Sequence, residues 1–126
     1  IALEGLLGKS EILLDISEKT VRDFIPVNDF AIYLMQLISK KCVGVYNVGS
    51  GVGITLEDLC NSIIKGYGRG AITTICSAVI KDQFVLDNQK LLSIGSRKIN
   101  KVDIMEYAKN IGEKLKIDAK ARKKNV

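Results

Sequence analysis

The 126-residue sequence contains no histidine and no tryptophan, and it has one proline and three cysteines. Without histidine, the chain cannot use imidazole as a general base or as a zinc ligand, which excludes Ser-His-Asp catalysis and the usual zinc sites. The cysteines, Cys42, Cys60 and Cys76, form no Cys-x-x-Cys pair and are odd in number. We therefore expect buried, reduced thiols, no metal site and a cytoplasmic location.

Long apolar runs are also missing, since none approaches the roughly 18 residues that a membrane-spanning helix needs. No segment has the charged start and apolar middle of a signal peptide, so we expect no membrane partner. Apolar residues make up 47% and charged residues 26%, as in an ordinary globular domain with its own core. The sequence begins at Ile1 rather than at methionine, and its first residues look like the end of a helix, so we expect a fragment.

Much of the net charge of +5 lies near the C-terminus, in the segment KLKIDAKARKKNV. A basic segment can bind nucleic acid or a membrane surface. This one has no aromatic residues to stack on bases, which argues against a nucleic-acid partner. We expect a lobe over residues 1–117 followed by a basic, disordered tail over 118–126. Nucleic-acid binding by the tail stays a minor alternative.

Short apolar segments alternate with helical patterns, which predicts a small mixed α/β lobe. Strands are expected in SEILLD (10–15), VRDFIPV (21–27), GVYNVGS (44–50), AITTICSAVI (71–80) and QFVLD (83–87). Helices are expected over 1–8, after a cap at Asn28 or Asp29, after Thr55 with Asp58, after Asp87, and after Asn100. Pro26 cannot donate to a sheet ladder and places the end of its strand at an edge.

Three predicted helices carry apolar residues at helical spacing, and each stripe predicts a buried face. The stripes are Phe30, Tyr33, Leu34, Leu37 and Ile38; Leu56, Leu59, Cys60, Ile63 and Ile64; and Ile104, Ala108, Ile111 and Leu115.

The glycine-rich segment VYNVGSGVGITLEDL follows a predicted strand and opens a helix, as a dinucleotide-binding fingerprint does. The spacing fails, because Gly49, Gly51 and Gly53 are followed by Ile54 where the third fingerprint glycine belongs. No acidic residue follows about 20 positions later to hold a ribose, and no Gly-Lys-Ser/Thr completes a P-loop. We favour a tight turn that needs positive φ. The amides at the helix start remain a possible contact for a phosphate.

Three segments in order resemble the C-terminal half of the NAD-dependent epimerase/dehydratase family, the extended short-chain dehydrogenases that act on nucleotide-diphosphate sugars. They are VRDFIPVNDFAIYLMQLI, GVYNVGSGVGITLEDL and DQFVLDNQKLLSIG, and the match covers about residues 1 to 97. The patterns are Arg-Asp-(Phe/Tyr)-Ile-x-Val-x-Asp before an amphipathic helix, and a Tyr-Asn-(Val/Ile)-Gly-(Ser/Gly)-Gly turn. The resemblance implies the C-terminal part of an extended Rossmann-type epimerase.

The resemblance also implies a substrate site. The arginine at the Arg22 position binds the substrate's diphosphate, for which a planar guanidinium fork is well suited. The asparagine at the Asn47 position lies beside the same nucleotide sugar. The family often carries a second arginine where this sequence has SAVIKDQF, and there Lys81 offers only a point charge. Surface pairing of Arg22 and backbone bonding by Asn47 are the structural alternatives. Asp29 matches the family's acidic residue at the helix start.

The family's catalytic parts are absent from these 126 residues. There is no N-terminal glycine fingerprint, no active-site Ser/Thr segment and no Tyr-x-x-x-Lys pair, because Tyr33, Tyr46, Tyr67 and Tyr107 are followed at +4 by Leu37, Ser50, Ala71 and Ile111. We therefore expect no catalytic or cofactor-binding residues in this chain, with NAD or NADP held by a missing N-terminal Rossmann half.

The leading hypothesis is a substrate-binding fragment of a nucleotide-diphosphate-sugar epimerase or dehydratase, an isomerase or lyase of polysaccharide biosynthesis. The alternative is a free-standing, non-catalytic interaction module derived from such a lobe. In either case we expect the face that the cofactor half would cover to be apolar. Self-association through that face would give a homo-oligomer, which we also expect as an option.

Overall fold

A computed structural model describes residues 4–75, 80 and 82–124 of the chain. Within them, helices and short strands alternate, as the sequence predicts for a mixed α/β lobe. The elements are α1 (Glu4–Gly8), β1 (Glu11–Leu14), β2 (Val21–Asp23), α2 (Val27–Ser39), β3 (Gly53–Thr55), α3 (Leu56–Tyr67), β4 (Ala71–Thr74), α4 (Gln89–Ser93) and α5 (Lys101–Lys124).

The strands form two separate two-stranded ladders. Strands β1 and β4 are parallel, with Glu11 opposite Ala71 and Leu14 opposite Thr74. Strands β2 and β3 are antiparallel, and Arg22 lies opposite Ile54. Because α3 starts directly after β3, the β2–β3 ladder fixes Arg22 close to the beginning of that helix.

The larger core lies between β1, α1, α3 and α5. Its buried members are Leu6, Ile12, Leu14, Leu56, Cys60, Ile63, Tyr67 and Ala108. The predicted apolar faces of α3 and α5 are thus confirmed. Burial raises the pKa of the Cys60 thiol to about 11, so this thiol stays neutral at physiological pH. Cys42 is half-buried, and Cys76 lies outside the described residues.

Helices α3 and α5 approach each other through two glycines. A Cβ on Gly66 would lie 1.9 Å from the backbone oxygen of Lys109, and a Cβ on Gly112 would lie 1.9 Å from that of Ile63. No side chain fits at either point, so the two backbones pack in direct contact. This crossing holds α5 against the lobe and explains why both helices need glycine at an interior position.

The caps of α3 and α5 agree with the sequence. The Thr55 hydroxyl accepts a hydrogen bond from the Asp58 N–H at 3.0 Å, and Gly68 ends α3 at φ +94°. Asn100 and Asp103 bond each other's backbone N–H groups reciprocally at 3.0 and 2.9 Å. These bonds hold the pKa of the Asp103 carboxyl below its usual value, with the backbone bond to Asn100 as the largest cause.

The predicted cap and buried stripe of α2 are wrong. The helix begins after Pro26, and neither Asn28 nor Asp29 caps it, because Pro26 takes the N-cap position without a side-chain bond. Of the stripe, only Tyr33 is buried, and its hydroxyl donates to the Arg97 carbonyl at 2.5 Å. Ile38 is 70% exposed, because nothing within the described residues packs on that face.

Three strand predictions also need correction. Strand β2 ends at Asp23, well before Pro26. Residues 44–50 and 83–87 form no strand, although their β-branched and aromatic residues favour one. In the second segment, the Leu86 N–H donates to the Asp23 side chain instead of to a neighbouring strand. Within the described part of the chain, a strand sequence without a ladder partner stays irregular.

Helix α5 continues to Lys124, so residues 118–124 are helical and do not form the disordered tail that the composition predicts. The division of the chain at residue 117 stays a prediction. Among the described helices, none is both long enough and apolar enough to cross a membrane.

Candidate functional site

Arg22 lies on β2 at the wall of a hollow. Its side chain shares this cavity of about 320 Å³ with Leu14, Asp15, Ile16, Phe24 and Leu56. The guanidinium carbon lies 5.4 Å from the centre of the Phe84 ring, which is within the range of a cation–π contact. Phe84 therefore orients the side chain that the sequence singles out.

The guanidinium has unused hydrogen-bonding capacity. Its Nε atom is buried and has no hydrogen-bond partner, and Arg22 forms no ion pair with any other residue that the structure describes. An unpartnered polar atom beneath the surface costs about 1–3 kcal/mol unless a ligand satisfies it. The exposed Asp15 carboxylate lines the same hollow and lowers its positive potential, so the site is not purely cationic.

Asp23, the next residue on β2, joins three segments of the chain. Its carboxylate accepts hydrogen bonds from the Ser50 N–H at 2.9 Å, the Ser50 hydroxyl at 2.6 Å and the Gly51 N–H at 2.9 Å. It also accepts one from the Leu86 N–H at 3.2 Å. Hydrogen bonds to a charged acceptor are roughly twice as strong as neutral ones. Asp23 thus fixes the glycine turn and the 84–87 segment to the strand that carries Arg22.

Asn47 is exposed and already bonded. Its side-chain amide nitrogen donates to the Asp87 carbonyl at 2.9 Å, which is the backbone role that the sequence analysis left open. Asn47 is not among the residues that line the Arg22 hollow. The two predicted site residues are connected only indirectly, through the 84–87 segment and through the bonds of Asp23 to Ser50 and Gly51. A substrate contact by Asn47 remains a prediction that would use its carbonyl oxygen.

Lys81, the third predicted substrate residue, lies outside the described residues, and its role stays a prediction. Two residues close to it in the chain are described: the Gln83 side chain accepts a hydrogen bond from the Val21 N–H at 3.2 Å, and the Phe84 ring contacts Arg22.

The glycine turn does not provide a cradle for phosphate. Gly51 has φ +71°, as expected for a tight turn, and a Cβ there would lie 2.8 Å from the Asn88 side-chain oxygen. The Ser50 and Gly51 N–H groups donate to Asp23. At the start of α3, the N–H groups of residues 56, 57 and 58 donate to Thr20, Glu18 and Thr55 oxygens. The amides that an anion would need are therefore occupied.

Sequence reasoning missed Asp23 and Phe84 as parts of the site. The strand alternation places Asp23 on the face opposite Arg22, and no local pattern pairs it with residues 50, 51 and 86. Phe84 falls in a segment predicted to be a strand, which gives no reason to expect its ring beside Arg22. In the described residues, no group of three or more acidic or thiol side chains is arranged to hold a metal ion.

No protein-family model matches the sequence. Solved structures do match it. The chain is similar to the UDP-glucose 4-epimerase of Thermus thermophilus in complex with NAD, with a TM-score of 0.61 and 21% identity, over 81% of this chain and 34% of the epimerase. It is also similar to the GDP-mannoheptose C4 reductase of Campylobacter jejuni with NADP bound, with a TM-score of 0.50 and 22% identity, over 81% and 32% of the two chains.

These likenesses confirm the fold that the sequence resemblance implies. The chain spans about a third of the length of both structures, so they describe the architecture of this lobe and not its chemistry. The chain has the fold of the C-terminal lobe of an epimerase/dehydratase-like, extended short-chain dehydrogenase.

Proposed function

We propose that this chain is the substrate-binding lobe of a nucleotide-diphosphate-sugar epimerase, dehydratase or reductase. In the complete protein, a separate Rossmann half would hold NAD or NADP, which supplies hydride transfer when bound. The residues of this lobe would bind the diphosphate and orient the sugar ring. Holding a substrate in the reacting geometry can remove several kcal/mol of barrier without any catalytic group in the lobe itself.

The observation that carries the proposal is the state of Arg22. Its side chain lines a hollow, its Nε has no partner, and its guanidinium forms no ion pair with a described residue, while a planar guanidinium is suited to bind two anionic oxygens. An arginine that served only as a surface ion pair would be expected to contact a carboxylate, as Arg97 does with Asp103 at 2.7 Å. The two similar structures are of enzymes named for UDP-glucose and GDP-mannoheptose, which supports a nucleotide-sugar substrate for the complete protein.

A second observation supports the missing half as a partner. The side chains of Val27, Ile32, Met35, Ile38, Val43 and Val45 are between 52% and 89% exposed. We call this set the α2 face. Exposed apolar residues that form a contiguous patch mark interaction sites more often than free surface, and four of these six lie on the single helix α2. Residues 43–48 have strand-like composition but no ladder within the described residues, although the Val45 carbonyl accepts a hydrogen bond from the Lys90 side chain.

The free-standing interaction module remains the alternative, and the α2 face would serve it equally well. The two functions predict different behaviour at the Arg22 hollow, because a non-catalytic interaction module is not expected to bind a nucleotide sugar. Binding at that hollow therefore separates them.

The decisive experiment is a ¹H–¹⁵N NMR titration of the 126-residue chain with UDP-glucose and GDP-mannose, following the Arg22 Nε–H and the Phe84 amide. We expect weak, saturable shifts at both groups, because half of the cleft is absent. Arg22→Gln should weaken binding by about tenfold, since it removes the bidentate contact to the diphosphate. The matched control is Arg122→Gln, which makes the same charge change at an exposed position of α5.

Two results would contradict the proposal. Binding that Arg22→Gln and Arg122→Gln weaken equally would indicate general charge attraction. Turnover of a uridine- or thymidine-diphosphate sugar by the 126-residue chain with NAD would show that the catalytic parts are not elsewhere.

A further inference from the structure

A second cavity lies at the opposite end of α3 from Arg22, where α3, α1 and the C-terminal part of α5 meet. It has a volume of about 250 Å³ and is lined by Leu7, Tyr67, Gly68, Arg69, Lys116, Ala119 and Lys120. We call it the basic cavity. None of its lining residues belongs to the Arg22 hollow, so it is not part of the proposed substrate site.

Three cationic side chains from two different elements converge on the basic cavity, and no carboxylate lines it. Arg69 comes from the turn after α3, while Lys116 and Lys120 lie one helical turn apart on α5. None of the three forms an ion pair with another residue that the structure describes. Gathering like charges costs folding free energy, so the arrangement calls for a compensating anion.

Some cations elsewhere on the surface are paired with carboxylates. Lys19 bonds Glu57 at 2.6 Å, Lys101 bonds Asp58 at 2.7 Å, and Arg97 bonds Asp103 at 2.7 Å. Other exposed cations, such as Lys41, Lys65 and Lys98, form no ion pair within the described residues either, so what distinguishes the basic cavity is that three cations line one hollow without a carboxylate.

The floor of the cavity is apolar and well packed. Tyr67 is 5% exposed and belongs to the larger core, and Leu7 and Ala119 pack against the same core. A wall of low dielectric constant beneath several like charges concentrates their field and strengthens attraction to a counter-ion.

We propose that the basic cavity binds a small phosphate-bearing anion, either a phosphate monoester or a diphosphate. Arg69 supplies a fork for two oxygens, Lys116 and Lys120 add point charges, and the Tyr67–Leu7–Ala119 floor accepts an apolar part of the ligand. Such a site would give the protein a second anion contact, separate from its substrate.

A simpler role explains part of the arrangement. Lys116 Nζ would lie 3.1 Å from a Cβ on Gly68, so this ammonium is close to the C-terminus of α3, where a positive charge stabilises the helix dipole. One lysine suffices for that role. It does not account for Arg69 and Lys120 converging on the same cavity.

The test is a residue-resolved NMR titration of the full 126-residue chain with sodium pyrophosphate, against sodium chloride at matched ionic strength. We expect saturable shifts at the amides of Gly68, Arg69, Lys116 and Lys120. Lys116→Gln/Lys120→Gln should weaken this binding by about tenfold. The control Lys98→Gln/Lys114→Gln removes the same charge at exposed positions away from the cavity and should leave binding within about twofold.

The proposal is overturned if pyrophosphate produces no saturable shift at these amides, or if both lysine pairs weaken binding equally. A parallel titration with single-stranded RNA distinguishes the source of the phosphate. Tighter binding of RNA, with shifts spread along residues 114–124, would replace a small-anion site with a polymer-binding surface. Arg22→Gln should leave the cavity's affinity unchanged, so this test and that of the substrate lobe can fail separately.

Discussion

The packed crossing of α3 and α5 contrasts with the α2 face. Both regions carry apolar residues at helical spacing. The sequence predicts a buried stripe on each of the three helices, and Ile38 is the member of the predicted α2 stripe that belongs to the α2 face. In the first region Cys60, Ile63 and Ala108 are buried in the larger core, whereas in the second Met35 is 65% and Ile38 70% exposed. The difference is not one of amphipathic pattern. The crossing has its partner helix within the chain, and the described residues contain no partner for the α2 face.

This contrast indicates which apolar surfaces of the lobe contribute to its free energy of folding. Burial of apolar area around α3 and α5 stabilises the isolated chain, at roughly 25 cal/mol per Å². The area on the α2 face contributes nothing to folding until another surface covers it. We therefore expect substitutions in the two regions to separate stability from association.

The largest expected effect is at the helix crossing. Gly112→Ala places a Cβ 1.9 Å from the Ile63 carbonyl oxygen and 2.7 Å from the Tyr67 nitrogen, so that the two helices must separate. Alanine's better helix propensity returns about 1 kcal/mol, but we expect a net loss of about 3 kcal/mol. Urea unfolding followed by circular dichroism measures it.

The control for the crossing is Gly8→Ala, because a Cβ on Gly8 meets no atom within 4 Å. It should change the free energy of unfolding by no more than about 0.5 kcal/mol. Equal effects of the two substitutions would show that α3 and α5 are not in backbone contact. The helix crossing could then no longer be contrasted with the α2 face as a packed region.

An intermediate effect is expected at Asp23, which ties the end of the unpaired 43–48 segment to the core through Ser50 and Gly51. In Asp23→Asn, an amide nitrogen would face backbone donors, and we expect a loss of about 2 kcal/mol. The Ser50, Gly51 and Leu86 amide resonances should shift together. Urea unfolding and ¹H–¹⁵N spectra measure both. Asp118→Asn, an exposed change of the same charge, should leave stability and these amides unchanged. If Asp118→Asn destabilises the chain as much as Asp23→Asn does, the loss of stability does not come from the hydrogen bonds between Asp23 and the other two segments.

The smallest effect on stability is expected on the α2 face. Met35→Lys/Ile38→Lys should alter the free energy of unfolding by about 0.5 kcal/mol or less, because neither side chain is covered. The same variant should abolish self-association, which we expect the wild-type chain to show at high concentration in sedimentation velocity. The control Val102→Lys/Ile117→Lys removes equally exposed apolar groups from α5 and should associate as the wild type does.

A wild-type chain that stays monomeric at every concentration would contradict the proposal that the α2 face is an interaction surface. A large loss of stability in Met35→Lys/Ile38→Lys would show instead that this face is part of the core.

Local signals predicted the elements well where a side chain meets its own neighbourhood. Thr55 and Asn100 cap α3 and α5 as predicted, because each bond closes within a few residues. The cap predicted for α2 is wrong because Pro26 takes the N-cap position. The helix therefore begins ahead of Asn28 and Asp29, and the fixed φ of proline suits the start of a helix.

Part of the candidate site could be predicted from the sequence. Arg22 was found by its place in a family-like motif, and the structure puts it at a hollow. Its neighbours were not found, because Asp23 reaches residues 50, 51 and 86, and Phe84 reaches across from a different segment. Contacts over such separations leave no periodic or spacing signal in a single sequence.

By itself, the sequence determined the alternation of helices and strands, the helix ends that close locally, and the absence of histidine-based and tyrosine–lysine chemistry. The tertiary structure alone decided which apolar stripes are buried and which strand-like segments join a ladder. The physical reason is that amphipathic periodicity records only that a face avoids water, and whether it does so depends on which surfaces the rest of the protein brings to it.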